Sequence, residues 1–278
     1  MANNQIPLEV AERIIDHVAA NPEYDDHFRY TFSSIKACAL VCHSFLPRSR
    51  RYIFASVTLN VGSSTPTSDD LNHLLSNSPH LAEYIRELDY RFVRKEFSSK
   101  RSPWLSSMFK KLVRLEKLSL CYFSSSGRRL NWMSSSERMV LLPLLHLPTL
   151  TSIFMGEIRN FPLADLAGCV NLKKLEIEGL ECSSCVGEFL QTLPPTPTML
   201  ERLEINMGNI KPVQRLCDVQ RPDGKPIIDF SSLKKITATV ARLDSMKKLF
   251  GMCRNLRKIY LISVSLISYL FIHLILLL

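Results

Sequence analysis

Apolar residues near the start of the chain recur at helical spacing and predict a helix with one apolar face. Residues three or four positions apart share one side of a helix. Pro7 lies just before this pattern, in the first turn, where a missing backbone N–H leaves no hydrogen bond unmade. The apolar positions are Leu8, Val10, Ile14, Ile15 and Val18.

A second helix is predicted to begin at Ser33 or Ser34 and to end before Pro47. Its apolar residues cover more than one stripe. We therefore expect it to contact two neighbours, one inside its own module and one outside. The alternative is an ordinary helical hairpin that caps the next domain. The apolar residues are Ile35, Cys38, Leu40, Val41, Cys42 and Phe45.

From Phe54 onwards the spacing L-x-x-L-x-L, with other apolar residues allowed, occurs eight times, with starts 22 to 35 residues apart. The last two residues of each triplet alternate as in a short strand and face one side. The segments between triplets, such as 69–75, 136–146 and 242–253, have helical patterns. The triplets are Phe54-Val57-Leu59, Ile85-Leu88-Tyr90, Leu115-Leu118-Leu120, Leu150-Ile153-Met155, Leu172-Leu175-Ile177, Leu200-Leu203-Ile205, Leu233-Ile236-Ala238 and Leu256-Ile259-Leu261.

Together these patterns predict an α/β chain in two parts with an apolar tail. Residues 1–54 form the helical module, and residues 55–262 form an irregular leucine-rich solenoid with parallel strands inside and helices outside. One repeat cannot bury its apolar face alone, whereas stacked repeats share a continuous core. With 278 residues, of which 46% are hydrophobic and 22% charged, the chain can bury a large core. The repeats begin directly after the module, so we expect both parts to pack as one body.

Residues that flank the inward-facing pair of each triplet lie on the other, concave face of the predicted sheet. The first such position is occupied in successive repeats by Ser56, Glu87, Lys117, Ser152, Lys174, Arg202, Lys235 and Lys258. The second is occupied by Thr58, Asp89, Ser119, Phe154, Glu176, Glu204, Thr237 and Tyr260. Because neighbouring strands lie about 4.8 Å apart, the last four residues of the first set are predicted to form a cationic row. We predict an acidic protein partner for this face, contacted by Lys117, Phe154, Lys174, Glu176, Arg202, Glu204, Lys235 and Tyr260.

The chain has a formal net charge of +9, and its basic residues are concentrated between Arg86 and Arg129. Twelve Lys and Arg residues lie there against four Asp and Glu residues. Such a stripe attracts nucleic acid, anionic lipid or an acidic protein. A solvated convex face is the simpler interpretation, and nucleic acid is not expected because aromatic residues are not interleaved as a stacking platform requires.

The sequence contains no recognisable catalytic motif. It lacks a glycine-rich phosphate loop, a G-x-S-x-G elbow and an H-E-x-x-H pair. Cys182 and Cys185 have the spacing of metal ligands, but no second pair or nearby His completes four ligands. We therefore expect neither an enzyme, nor a metal, nor a cofactor. The eight cysteines follow no secretory signal and are expected to be free thiols of a cytoplasmic or nuclear protein.

The C-terminal tail, residues 259–278, contains no Asp, Glu, Lys or Arg. As a helix it would span about 30 Å, enough to cross a membrane, and Arg254, Arg257 and Lys258 would mark its cytosolic end. The last triplet runs into the tail, however, and a terminal repeat normally needs a polar cap. We favour a truncated or aberrant chain end, and a tail anchor is the alternative.

The first fifth of the chain resembles an F-box. The resemblance is carried by Ile6-Pro7-Leu8-Glu9, by Ile14-Ile15 and by Leu40-Val41-Cys42 with Phe45, in the order that the family shows. It is similar to the fungal F-box-like type, in which Ala-Leu-Val-Cys is followed by a Leu-Pro-Arg-Ser-Arg segment like residues 46–50. The chain departs from the family at Phe45, where many members have Trp, and in the long polar stretch of residues 21–30.

This resemblance implies a substrate-recognition subunit of a cullin–RING ubiquitin ligase. The module would bind a Skp-type adaptor, and the repeats would hold a protein substrate that the sequence does not identify. A repeat scaffold without a ligase is the main alternative, and a membrane-anchored interaction protein is the third. The apolar residues expected at the adaptor would be shared between the module's own core and the interface, and Pro7 would set the entry angle. The residues expected there are Pro7, Leu8, Ile14, Ile15, Leu40, Val41 and Phe45.

Overall fold

The computed structural model shows a short helical module followed by a long run in which strands and helices alternate. This α/β order agrees with the sequence prediction. The residues described are 7–20, 23–24, 30–31, 33–61, 67–93, 104–123, 129–133, 137–183, 194–206, 211–240, 246–263 and 271–275.

Three helices make up the module: α1 (Leu8–Ala20), α2 (Ser33–Val41) and α3 (Leu46–Ile53). Between α1 and α2, the two-residue strands β1 (Glu23–Tyr24) and β2 (Tyr30–Thr31) pair antiparallel. The helices enclose a core of their own, which is separate from the core of the following repeats. Its buried members are Ala11, Ile15, Ile35 and Phe45.

The second predicted helix proves to be two helices. The helix α2 ends at Val41, a turn follows, and α3 begins at Leu46. Pro47 therefore lies in the first turn of α3 rather than beyond the end of α2. Proline is well tolerated there, because the first N–H groups of a helix have no intrahelical partner. The turn places Phe45 in the core of the module.

A nine-stranded sheet forms the rest of the chain, in the order β15-β14-β13-β11-β9-β7-β5-β4-β3. All neighbours in it are parallel except β15, which pairs antiparallel with β14. The short strands β6 and β8 pair parallel, as do β10 and β12. The strands are β3 (Ser56–Val61), β4 (Glu87–Val93), β5 (Lys117–Phe123), β6 (Leu130–Asn131), β7 (Ser152–Gly156), β8 (Ile158–Arg159), β9 (Lys174–Glu178), β10 (Thr198–Met199), β11 (Arg202–Asn206), β12 (Ile228–Asp229), β13 (Lys235–Val240), β14 (Lys258–Ser263) and β15 (Phe271–Ile275).

The eight parallel strands coincide with the eight predicted triplets, and their register is the predicted one. Neighbouring strands pair the middle residues of the triplets, and the last residues pair in the same way. All of these side chains are buried except Val57, which is half-buried. The row of middle residues is Val57, Leu88, Leu118, Ile153, Leu175, Leu203, Ile236 and Ile259.

A repeated backbone bond holds each repeat to the one before it. At the start of β4, β5, β7, β9, β11, β13 and β14, two successive N–H groups donate to one carbonyl of the preceding repeat. The N–H groups of Glu201 and Arg202, for example, donate to the carbonyl of Lys173 at 2.8 and 2.9 Å. A carbonyl oxygen has two lone pairs and can accept both bonds. The acceptors are Ala55, Arg86, Glu116, Thr151, Lys173, Glu201 and Lys234.

Helical segments join the strands and cover the buried side of the sheet. Their apolar residues share one continuous core with the triplets, including Leu75 of α4, Leu141 of α6 and Leu216 of α7. In α6 the helix accommodates Pro143 in its interior. The segments are α4 (Thr67–Asn77), a 3-10 helix (Pro79–Tyr84), α5 (Trp104–Phe109), α6 (Glu137–Leu145), a second 3-10 helix (Leu163–Leu166), α7 (Lys211–Asp218) and α8 (Lys247–Met252).

One carboxylate is buried within the solenoid, at Asp165 in the second 3-10 helix. It accepts bonds from Arg138 Nε at 2.9 Å and Nη2 at 2.8 Å, and from the indole N–H of Trp132 at 2.8 Å. Its backbone carbonyl lies 2.9 Å from His146 Nε2. A buried carboxylate is tolerated only when it is paired and hydrogen-bonded in this way. The cluster ties α6 to the neighbouring repeat.

The described part of the tail is strand rather than helix. Residues 258–263 continue the parallel sheet as β14, and residues 271–275 form β15 at its edge. Residues 264–270 and 276–278 lie outside the described residues. Among the residues that the structure describes, no helix has the length and apolar character needed to cross a membrane.

Candidate partner-binding surfaces

Five large apolar side chains of the module are exposed rather than packed in its core. Leu40 and Val41, at the end of α2, are 87% and 68% exposed. On α1, Leu8 is 54% exposed, and Val10 and Ile14 are 46% and 41% exposed. These five residues, named here the module apolar surface, lie on two neighbouring helices. Large exposed apolar side chains on neighbouring helices are candidates for an interaction site.

Two residues expected at the adaptor lie inside the module instead. Ile15 is fully buried, and Phe45 is 7% exposed. Ile15 follows Ala11 by four positions, so both lie on the helical face that packs against Ile35. Pro7 is exposed, and its carbonyl accepts the N–H groups of Val10 and Ala11 at 3.0 and 3.1 Å. Ile15 and Phe45 therefore support the surface from behind, while Pro7 fixes the start of α1.

A polar cluster that the sequence reading missed joins α1 to α3. Asp16 accepts bonds from Arg48 Nε and Nη2, both at 2.7 Å, and from the Tyr52 hydroxyl at 2.8 Å. Hydrogen bonds from Arg48 and then Tyr52 hold the pKa of Asp16 below its ordinary value. Burial, followed by the bond to Asp16, raises the pKa of Tyr52. Nothing in the spacing of α1 alone identifies the partners of Asp16, which lie 32 and 36 residues away.

The second candidate surface is the face of the sheet opposite the core, named here the open face. It carries two adjacent rows of half-buried or exposed side chains. Strand pairing places them in the predicted register. The first row is Ser56, Glu87, Lys117, Ser152, Lys174, Arg202, Lys235 and Lys258, and the second is Thr58, Asp89, Ser119, Phe154, Glu176, Glu204, Thr237 and Tyr260.

In the N-terminal part of the open face, charges are paired across and along the strands. Lys117 on β5 donates to Glu87 on β4. Arg91 donates to Asp89 at 2.6 Å, and Ser119 donates to the other oxygen of Asp89 at 3.0 Å. The basic stripe of residues 86–129 is therefore partly neutralised where it lies on the sheet. Its members at 94–101 and at 128 lie outside the described residues.

In the middle of the open face the carboxylates predominate. Lys174 contacts Glu176 at 3.1 Å and Glu204 at 3.2 Å. Burial opposes its charge, but the hydrogen bonds to these two carboxylates outweigh burial and raise the pKa of Lys174. Burial, together with Glu157 and Glu176, raises the pKa of Glu178. The predicted cationic row of four thus loses its first member, because Lys174 is already bound by two carboxylates.

In the C-terminal part of the open face the three remaining cations lie side by side. Arg202 pairs in register with Lys235, and Lys235 with Lys258. The ammonium of Lys235 lies 5.0 Å from the ring centre of Tyr260, a cation–π contact. Within the described part of the chain, no carboxylate forms an ion pair with Arg202 or Lys258. We name these three residues the cationic row.

The two aromatic residues of the second row occupy different settings. Tyr260 lies beneath Lys235 in the C-terminal part. Phe154 lies on β7 and packs over Gly156, where an added Cβ would come within 3.0 Å of its ring. Both are half-buried, so each presents only part of its ring to a partner.

A cleft of about 330 Å³ lies at the turns before β9, β11 and β13. Four of the polar residues lining it, Asn171, Glu201, Lys234 and Asn255, already have partners within the protein. Asn171 Nδ2 donates to the Pro148 carbonyl at 2.7 Å, and Lys234 donates to Glu201 at 3.0 Å.

Cys38 and Cys42 lie in the module, and the other six cysteines are spread along the solenoid. Burial raises the pKa of Cys182 to about 12 and that of Cys121 to about 11. Cys185, which shares metal-ligand spacing with Cys182, lies outside the described residues. Among the residues that the structure does describe, no three His, Cys, Asp or Glu side chains come together as a metal ion would require.

No protein-family model matches this chain, and no curated protein matches it significantly. Its function must therefore be inferred from the module apolar surface, the open face and the motif resemblance. The first two are geometrically independent, because the module and the solenoid have separate cores.

Proposed function

We propose that this chain is a substrate-recognition subunit of an SCF-type, cullin–RING ubiquitin ligase. In this proposal the module is F-box-like and binds a Skp-type adaptor, while a leucine-rich-repeat solenoid holds a protein substrate on its open face. The chain makes no bond itself. It raises the effective concentration of the substrate near the ligase.

The observation that carries the proposal is the module apolar surface. Leu40 and Val41 belong to the Leu-Val-Cys motif that resembles the F-box, and they are exposed rather than used in the core. Water contact with so much aliphatic surface is unfavourable, and burial against a partner recovers roughly 25 cal/mol per Å². An apolar groove on an adaptor is the kind of partner that such a surface fits.

The test is co-expression of the full chain with a tagged Skp-type adaptor. The variant Leu40→Asp, Val41→Asp places two charges on the proposed contact without touching either core. We expect it to reduce adaptor recovery by about tenfold or more. The matched control is Val113→Asp, Met139→Asp, which makes the same kind of change at two exposed apolar residues of the solenoid.

Three outcomes decide the proposal. Capture by the native chain and by the control, with loss in the Leu40/Val41 variant, supports it. Absence of capture by a folded native chain rejects adaptor binding. Equal loss in both variants shows that binding does not use the module apolar surface.

A second candidate is a repeat scaffold that works without a ligase. It is favoured by the α1–α2 connection, which contains the β1–β2 hairpin where F-box modules are tighter. The hairpin would obstruct adaptor binding if it lay against the docking side. Shortening residues 21–32 to a tight turn separates the two candidates, since adaptor capture would appear only after this change.

A further inference from the structure

We propose that the cationic row recognises an acidic peptide segment of the partner, and that this contact is confined to the C-terminal part of the open face. The inference rests on the proposed function in taking the open face as the partner-binding surface. It adds the chemistry of the partner and the strands that contact it.

The first argument is the arrangement of the three cations. Arg202, Lys235 and Lys258 occupy one position on three adjacent strands. Neighbouring strands lie about 4.8 Å apart, so three strands bring the three charges within about 10 Å of one another. Like charges in neighbouring positions destabilise a sheet. A carboxylate placed between two of them would remove that repulsion and gain two attractive contacts.

The second argument is that none of the carboxylates in the described part of the chain forms an ion pair with a cation of the row. Arg202 and Lys258 are exposed, and neither forms an ion pair or a side-chain hydrogen bond among the described residues. Lys235 is held over the Tyr260 ring, which leaves its ammonium without a carboxylate. By contrast, Lys117 and Lys174 on the same face are each bound to carboxylates.

The third argument is the charge order across the face. On β9, Lys174 contacts the carboxylates of Glu176 and Glu204, and Glu178 adds a third carboxylate further along the same strand. An acidic segment lying over β9 would be repelled, so its acidic residues must lie toward β13 and β14. The face therefore specifies a direction for the partner as well as a charge.

A protein segment fits this face better than nucleic acid. Polyanion binding requires a long tract of cations that follows the phosphate backbone. Here the row is three residues long and ends against the carboxylates of β9 and β11. A short acidic peptide matches that length.

The experiment measures binding of a fluorescein-labelled, unphosphorylated peptide of Glu and Ala to the full chain by fluorescence anisotropy. We expect binding that weakens strongly as salt rises from about 50 to about 500 mM, because the contact is exposed. The same peptide with Gln for Glu should not bind. A phosphoserine version and a single-stranded oligouridylate are measured in parallel.

The test variant is Arg202→Glu, Lys258→Glu, which we expect to weaken peptide binding about tenfold or more. The matched control is Lys110→Glu, Arg114→Glu. This pair changes the net charge equally at two exposed cations that lie before β5, outside the open face. The milder variant Arg202→Gln, Lys258→Gln should give a smaller loss in the same direction.

Loss in the Arg202/Lys258 variants with retention in the control supports the inference. Absence of peptide binding, equal loss in both charge reversals, or tighter binding of the oligouridylate than of the acidic peptide overturns it. Adaptor capture is measured on the same variants. Its retention by Arg202→Glu, Lys258→Glu shows an intact chain, and its failure in the native chain would reject adaptor binding without bearing on the peptide result.

Discussion

The module and the solenoid use their apolar residues in opposite ways. In the solenoid almost every apolar residue of the eight triplets is buried, so the open face presents polar and charged groups. In the module four buried side chains suffice for the core, and five apolar ones remain exposed. The comparison teaches that one chain can offer two different chemistries to its partners. We expect an apolar, salt-insensitive contact at the module and an electrostatic, salt-sensitive contact at the open face.

The largest effect is expected from truncating one leucine in each region. Leu203 is fully buried in the middle of the sheet, whereas Leu40 is 87% exposed. Leu203→Ala removes packed methyl groups and leaves a cavity, so we expect the free energy of unfolding to fall by about 2–5 kcal/mol. Leu40→Ala should change it by less than about 0.5 kcal/mol.

Urea unfolding followed by circular dichroism measures both changes. The comparison fails if Leu40→Ala destabilises the chain as much as Leu203→Ala does. Such a result would place Leu40 in a core rather than on the module apolar surface.

The sequence was sufficient for the register of the solenoid but not for the pairing of its charges. Alternation within each triplet leaves only one choice of buried side, because a slip by one residue would expose Val57 and Leu88 together with every apolar partner along the row. The partner of Lys174 could not be found in this way. Lys174 contacts Glu176 on its own strand and Glu204 on the neighbouring strand, and which carboxylate reaches which cation depends on side-chain conformation.

The module shows the same limit at helix ends. The resemblance placed Ile15 and Phe45 among residues shared between the core and the adaptor contact, and in the module both are buried. When an apolar stripe is wide enough for both a core and an interface, the sequence pattern does not distinguish the core residues from the interface residues. The division depends on where α2 ends, and that in turn depends on the turn before Leu46.

A smaller, pH-dependent effect should be confined to the module. The pKa of Asp16 is held below its ordinary value of 3.8 by Arg48 and Tyr52. A carboxyl whose pKa is lower in the folded chain than in the unfolded chain stabilises the fold at every pH above the unfolded-state pKa. This stabilisation is lost as the pH falls through the folded-state pKa. Asp16→Asn should therefore lower the melting temperature of α1–α3 at pH 7, with a difference from the native chain that begins to shrink near the unfolded pKa of 3.8 and is lost only as the pH falls through the lowered folded pKa.

Hydrogen exchange resolved by region measures this difference in the module and in the solenoid separately. The solenoid, whose core is separate, should give the same protection in both chains. A difference that persists unchanged at acid pH would mean that Asp16 stabilises α1 by something other than its charge.

The smallest effect separates stability from binding on the open face itself. Thr237 lies in the second row between Glu204 and Tyr260, and its hydroxyl is buried without a hydrogen-bond partner within the described structure. Replacing it with Val keeps a β-branched side chain in the strand and removes an unsatisfied polar atom. We expect the free energy of unfolding to rise by up to about 1 kcal/mol in urea unfolding. If acidic-peptide binding weakens at the same time, the Thr237 hydroxyl contacts the bound peptide. It would then be unsatisfied only in the free chain. If binding is unchanged, the peptide is recognised by the charges of the cationic row alone. In that case Thr237 affects only the stability of the sheet, and the first row of the open face carries the recognition.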